Sequence, residues 1–161
     1  MKKILIFLLI LANIAFGQEN KKSEPVIINA DKLEYNNKEK VAIYTGNVDV
    51  KKGNMQLKAD IVKIFLDEKS DVSRILAIGN VWFQKEDKWG KAKEGEYIKS
   101  QDMIILRGDA ELHQADNVVE GDEIRYIISE EKSFVDKKTK RVRTIFFPKE
   151  KTDGKENKQS K

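Results

Sequence analysis

Between Pro25 and Pro148 the chain contains no proline, and its apolar residues recur mostly at every second position. Val41, Ile43 and Thr45 alternate with Ala42 and Tyr44, and Met55, Leu57, Ala59 and Ile61 continue the pattern. Later runs repeat it: Ile104 and Leu106, Ala110 and Leu112, then Ile124, Tyr126 and Ile128, and finally Val142, Thr144 and Phe146. Side chains two apart share one face of a strand, so such alternation, rich in β-branched and aromatic residues, specifies half-buried strands. No stretch carries an apolar stripe of helical period with caps. Only Lys85 to Gly95 admits a short polar helix, with a loop or hairpin end as the other reading. The fold class expected is all-β.

The punctuation between the strands repeats. Gly46-Asn47-Val48, Gly79-Asn80-Val81 and Gly108-Asp109-Ala110 recur at spacings of 33 and 29 residues. Between them stands a second motif, a small residue followed by an acid: Ala30-Asp31, Ala59-Asp60, Gly95-Glu96 and Gly121-Asp122. Glycine enters positive φ without steric penalty, and Asn and Asp tolerate it better than other residues, so Gly-Asn marks a bend or bulge. Units of roughly 30 residues that resemble one another imply stacked supersecondary elements. A sheet built this way extends along one axis.

The ends differ in character. Lys2 and Lys3, the apolar run Ile4–Ala12 and the small-residue site Ala15-Phe16-Gly17 read as a signal peptide over 1–17. The run is too short to span a hydrocarbon core about 30 Å thick. Residues 18–24 read as a polar leader, 25–148 as one β domain and 149–161, without a large apolar residue, as a disordered polar tail. Removing 1–17 leaves 144 residues with 29 basic against 27 acidic side chains, a net charge of only +2. That balance, with export, argues against nucleic acid as a partner. An exported chain with no cysteine has no disulfide framework, so its stability rests on the sheet core. His113 is the single histidine, which leaves no nucleophile triad and no histidine–cysteine metal site. Asp116, Glu120, Asp122 and Glu123 lack calcium-loop spacing and fit turn chemistry. No Gly-Lys phosphate-binding motif is present, so the chain supplies no motor. An enzyme is not expected, and no cofactor or metal is implied.

The ordered blocks Pro25–Asp31, Tyr44–Val50, Lys58–Val62, Leu106–Leu112, Glu120–Tyr126 and Lys140–Pro148 resemble the LptA/OstA-like family, the periplasmic component of lipopolysaccharide transport. The resemblance covers nearly all of 25–148. It implies a twisted antiparallel jelly roll of two facing sheets, open along one side, with a lipid groove between them. It also implies soluble periplasmic localisation and end-to-end self-association into a bridge between inner-membrane anchored and outer-membrane OstA-like partners. The ligand would be lipopolysaccharide, held by its lipid A acyl chains. Groove candidates are Val26 and Ile28 on the first strand and Trp82 and Tyr97 in the middle. Ile104, Leu106, Leu112, Ile124, Tyr126 and Ile128 follow on later strands.

Assembly is expected at the sheet edges, where unpaired N–H and C=O groups accept another strand. The first strand is expected over Val26–Tyr35 and the last over Arg141–Phe147, with Ile27, Asn29, Val142, Thr144 and Phe146 at the joining edges. The run Lys137–Arg143 has two readings, contact with lipid phosphate or a solvated edge that discourages promiscuous pairing. Trp82 is expected in groove or core, and Trp89 at a loop. The competing reading of the whole chain is a periplasmic β-scaffold with an ordinary packed core and no ligand.

Overall fold

The computed structural model describes residues 24–130 and 132–148. The expected signal peptide, nearly all of the leader and the polar tail lie outside the described residues. Ten strands follow in order: β1 (Val26–Asn29), β2 (Lys32–Asn36), β3 (Val41–Lys52), β4 (Met55–Leu66), β5 (Val72–Lys85), β6 (Lys88–Ile98), β7 (Met103–Gln114), β8 (Asn117–Ile127), β9 (Lys132–Asp136) and β10 (Arg143–Ile145). Among the described residues the sole helical element is a 3-10 turn, Lys99–Gln101.

The strands form one antiparallel sheet in the order β1-β3-β4-β5-β6-β7-β8-β10, with β2 beside β1 on β3 and β9 beside β10 on β8. Its ends do not pair with each other, so the sheet stays open. The central strands are joined by tight two-residue hairpins, among them Gly53-Asn54, Glu86-Asp87 and Ala115-Asp116. Gly53, Glu86 and Ala115 take positive φ there, the backbone that matches the twist of paired strands. The segment Lys85–Gly95 is therefore a hairpin end running into β6.

The Gly-Asn/Asp motif has one structural meaning. Both residues of each pair adopt positive φ: Gly46 and Asn47, Gly79 and Asn80, Gly108 and Asp109. Each pair interrupts its strand, and the register shifts line up across the sheet at Thr45/Val48, Lys58/Ile61, Ile78/Val81, Lys91/Glu94 and Arg107/Ala110. A bulge bends its strand, so a row of aligned bulges creases the whole sheet along one seam. Only glycine fits the first position. A Cβ on Gly46 would lie 2.3 Å from Asp31 Oδ2, and one on Gly79 equally close to Asp60 Oδ2.

The small-acid motif is the other half of the device. Asp31 donates its N–H to the Gly46 carbonyl, and its carboxylate accepts from Asn47 Nδ2 at 2.9 Å. Asp60 accepts from Asn80 Nδ2 at the same distance. On β6 the position belongs to Ala92-Lys93, because Ala92 pairs with Val81 just as Ala59 pairs with Val48. Gly95-Glu96, the pair expected from sequence, lies beyond the seam. The charges there are exchanged: Lys93 Nζ meets Asp109 at 2.9 Å, where earlier strands pair Asp with Asn.

The crease gives the sheet an inside. Ala42, Tyr44, Val62, Ile64 and Ala77 on one side of the seam form one buried cluster with Val26, Val48, Ala59 and Val81 on the other. A single-layer sheet leaves both faces wet, and the described residues offer no helix to cover this one. The two halves must cover each other, which makes the two facing sheets two halves of one folded sheet.

Candidate functional site

The inward face is set by register. Tyr97 pairs with Ile75 and Ile104, Leu106 with Gly95 and Ile124, and Ile104 with Tyr126, so these share the face of Ala77 and Val81. Leu112 and Val119 extend the row beyond the seam. Burial along this face is uneven. In β3–β5, Val48, Val62, Ile64 and Val81 are closed off almost completely. In β6–β8, Leu106, Ala110 and Ile124 are buried, whereas Tyr97, Ile104, Leu112, Val119 and Tyr126 remain half-buried. The inward face is closed beside the seam in β3–β5, while large apolar side chains stay partly uncovered along β6–β8, as they do away from the seam at Val50, Leu57, Ile75 and Phe83.

Two of the expected groove residues lie elsewhere. Trp82 stands between the inward residues Val81 and Phe83 and therefore points outward, where it pairs with Lys58 and Lys91. The Lys58 ammonium lies 5.6 Å from its ring centroid. Strand alternation forces this, since a residue flanked by two inward neighbours cannot itself face inward. Ile128 falls in the turn after β8, where its N–H donates to the Asp102 carbonyl. Val26 and Ile28 do face inward, packed in and against the N-terminal cluster.

The outward face of β5–β9 is organised by ion pairs, with Ile105 buried between Glu96 and Arg125. Glu96 is only 6% exposed although it faces away from the apolar interior. Burial pushes its carboxyl pKa up, but hydrogen bonds from Arg107 and Arg74 outweigh that and hold it below the usual range. Arg107 also reaches Glu94 at 2.9 Å and Glu123 at 3.3 Å, and Arg125 pairs with Asp136. The network links β5 through β9. A shallow depression of about 330 Å³ lies at the seam, with Trp82, Lys91, Lys93, Asp109 and Glu111 among its walls. Trp89 is in β6 rather than a loop, and it stacks on His113 with centroids 3.6 Å apart and planes 7° from parallel. His113 is therefore largely covered and hydrogen-bonded to Glu111.

Each sheet edge is built from two short strands. At one, β1 and β2 lie end to end along β3, broken at Ala30-Asp31. At the other, β9 and β10 lie end to end along β8, separated by residues 137–142. Ile27 and Asn29 stand in β1 and Thr144 in β10, while Val142 and Phe146 flank a last strand shorter than expected. Both edges expose large apolar side chains: Ile27 (53%), Leu33 (54%) and Tyr35 (50%) at one, Phe146 (67%) and Phe147 (59%) at the other.

The basic run Lys137–Arg143 is tied down internally. The N–H groups of Lys138, Thr139 and Lys140 all donate to Asp122 Oδ2, at 2.7, 2.7 and 2.9 Å. Three such donors hold the Asp122 carboxyl down at about 2. Lys140 and Lys93 do the same for Asp109, also to about 2. Lys138 Nζ reaches Glu123 at 3.3 Å and Arg143 reaches Glu120 at 3.5 Å. These contacts match a solvated, internally neutralised edge. Among the described residues, no helix is long and apolar enough to cross a membrane.

Comparison with known proteins gives a consistent set of likenesses. The family described as LptA/(LptD N-terminal domain) LPS transport protein matches over residues 27–132. The lipopolysaccharide export system protein LptA of Escherichia coli (strain K12) is 31% identical over 144 residues, covering 83% of this chain and 77% of that protein. The lipopolysaccharide export system protein LptH of Pseudomonas aeruginosa is 26% identical over 122 residues, 71% of this chain and 70% of that one. The LPS-assembly protein LptD of Salmonella typhimurium is 31% identical over 121 residues, 68% of this chain but 15% of that protein. In three dimensions the chain resembles the crystal structure of LptH, the LptA homologous periplasmic component of the lipopolysaccharide transport device of Pseudomonas aeruginosa. The TM-score is 0.69 at 20% identity, over 78% of this chain and 96% of that one, a likeness of fold.

Proposed function

The chain belongs to the LptA/LptD N-terminal-domain family of lipopolysaccharide transport proteins, a non-enzymatic family, and on that premise we propose that it is a periplasmic carrier that shields lipid acyl chains inside its folded sheet and joins copy to copy in a bridge between inner- and outer-membrane partners. The observation that carries the cargo reading is the half-buried row Tyr97, Ile104, Leu112, Val119 and Tyr126 on the inward face. An acyl chain exposed to water costs about 0.8 kcal/mol for every methylene left unburied. A lipid with several such chains does not cross an aqueous compartment unaided. Large apolar side chains that face inward without being fully covered supply the surface that such chains need, and the open side of the sheet leaves the sugar in solvent.

Val26 lies in the N-terminal cluster and Ile28 packs against it, and both serve there as core. Leu106 and Ile124 form the floor under the half-buried row. The bridge reading is supported by the two unclosed edges and by the apolar side chains that both present. A ligand-free scaffold would gain nothing from leaving its interior part-covered.

Mass spectrometry of organic extracts from the purified exported chain tests the cargo, together with binding of added lipopolysaccharide. Co-purified or bound lipopolysaccharide is the expected result. Protein that is lipid-free and does not bind added lipopolysaccharide overturns the carrier reading and leaves the scaffold.

A further inference from the structure

The seam runs through eight ladder positions: β1/β2, β3, β4, β5, β6, β7, β8 and β9/β10. Two kinds of strand alternate along it. One kind carries the clasping side chain: Asp31 before β2, Asp60 in β4, Lys93 in β6 and Asp122 in β8. The other carries what is clasped: Gly46-Asn47 in β3, Gly79-Asn80 in β5, Gly108-Asp109 in β7 and the N–H groups of residues 138–140 between β9 and β10. Every clasp reaches forward to the next strand. The sheet therefore begins on a clasping strand and ends on a clasped one. Because eight is even, a second copy set against the last position continues both the antiparallel alternation and the clasp order in phase.

We propose that the joint between two copies continues this internal repeat, which fixes its register. The proposal rests on the end-to-end reading above and adds the pairs. Inside the sheet, a clasped strand meets the next clasping strand in one register: Thr45 lies opposite Ile61, one residue past Asp60, and Asp49 opposite Lys58, two before it. Asp136 and Arg143 occupy the places of Thr45 and Asp49, since they pair with Glu123 and Glu120 as those pair with Lys32 and Asn29. Carrying the rule across the joint sets Asp136 opposite Lys32 of the second copy, Val135 opposite Leu33, Arg143 opposite Asn29, Thr144 opposite Ile28 and Ile145 opposite Ile27.

The chemistry of these pairs agrees with the rule that produced them. Asp136 and Lys32 carry opposite charges. Val135 and Leu33 are apolar and face inward, and Ile145 meets Ile27, which is 53% exposed in the single chain. No pair sets like charges opposite each other. A one-residue slip turns every inward side chain outward. A two-residue slip in one direction brings Asp136 against Glu34.

Cysteine pairs test the register, because the natural chain has none. Chains carrying Thr144→Cys are mixed with chains carrying Ile28→Cys, or with chains carrying Ala30→Cys, which lies two residues along on the same face. Directly opposite residues lie close enough for a disulfide and diagonal ones do not, so the 144/28 mixture is expected to cross-link at least about tenfold faster. Charge supplies a second readout: Asp136→Lys weakens self-association, and adding Lys32→Asp restores it. Faster cross-linking of 144/30, or no rescue by the double charge exchange, overturns the register while leaving end-to-end assembly standing. A wild-type chain that stays monomeric at every concentration in sedimentation overturns both.

Discussion

Gly46 and Gly79 show how much of this fold rests on single residues. Each takes a positive φ, and each lies where a Cβ would strike an aspartate oxygen at 2.3 Å. Gly79→Ala is expected to cost about 1–3 kcal/mol, read from urea unfolding, because strain and the displaced Asp60 clasp add together. Glu96 is the second such residue. Its replacement by Ala strips Arg74 and Arg107 of a shared, nearly buried partner and is expected to cost about 1–3 kcal/mol, whereas Lys91→Ala on the same strand, with its exposed pairing to Glu111, changes stability by under about 1 kcal/mol. Both are measured by the same unfolding curves. The glycines were legible in the sequence, since no other residue combines recurrence with Asn or Asp in this way. Ala92-Lys93 was not legible. Its clasp uses Lys against Asp109 where the others use an acid, so the small-acid pattern falls on Gly95-Glu96 instead. Trp82 departs from the expected groove or core because the inward Val81 and Phe83 on either side fix its direction.

At the scale of elements, the edge formed by residues 137–147 is lightly held. β10 contributes three ladder pairs, and its large apolar neighbours are exposed. What holds it are the three N–H groups on Asp122, the Lys140–Asp109 pair and the Phe147 N–H on Asn117 Oδ1. The sign of the pH effect follows. Asp122 and Asp109 sit at about 2 in the fold against an ordinary 3.8. A depressed carboxyl contributes stability that is present above its unfolded value and is lost as pH falls through the folded one. Amide exchange at Lys138, Thr139 and Lys140 is thus expected to be protected at pH 5 and to lose that protection progressively between about pH 4 and pH 2. Asp122→Asn is expected to raise exchange at these amides even at pH 5. Most strands were legible from alternation. The division of each edge into two short strands was not, because the break depends on which neighbour each half finds rather than on local sequence.

For the whole molecule, one sequence pattern produces both a container and an extendable edge. Alternation gives the sheet an apolar face, the aligned bulges fold that face inward, and the open topology leaves strands free at both ends. The uneven cover of the inward face, closed at Val62 and half-covered at Leu112, could not be read from sequence, since alternation marks both residues alike. The central claim is that lipid acyl chains lie against the inward face of β6–β8. Photocrosslinking to added lipopolysaccharide from a probe at Leu112 or Tyr126, compared with the same probe at the outward Trp82, tests it most directly. Strong adducts at Leu112 and Tyr126 with little at Trp82 is the expected result; adducts as strong at Trp82, or none at the inward positions, contradicts the claim.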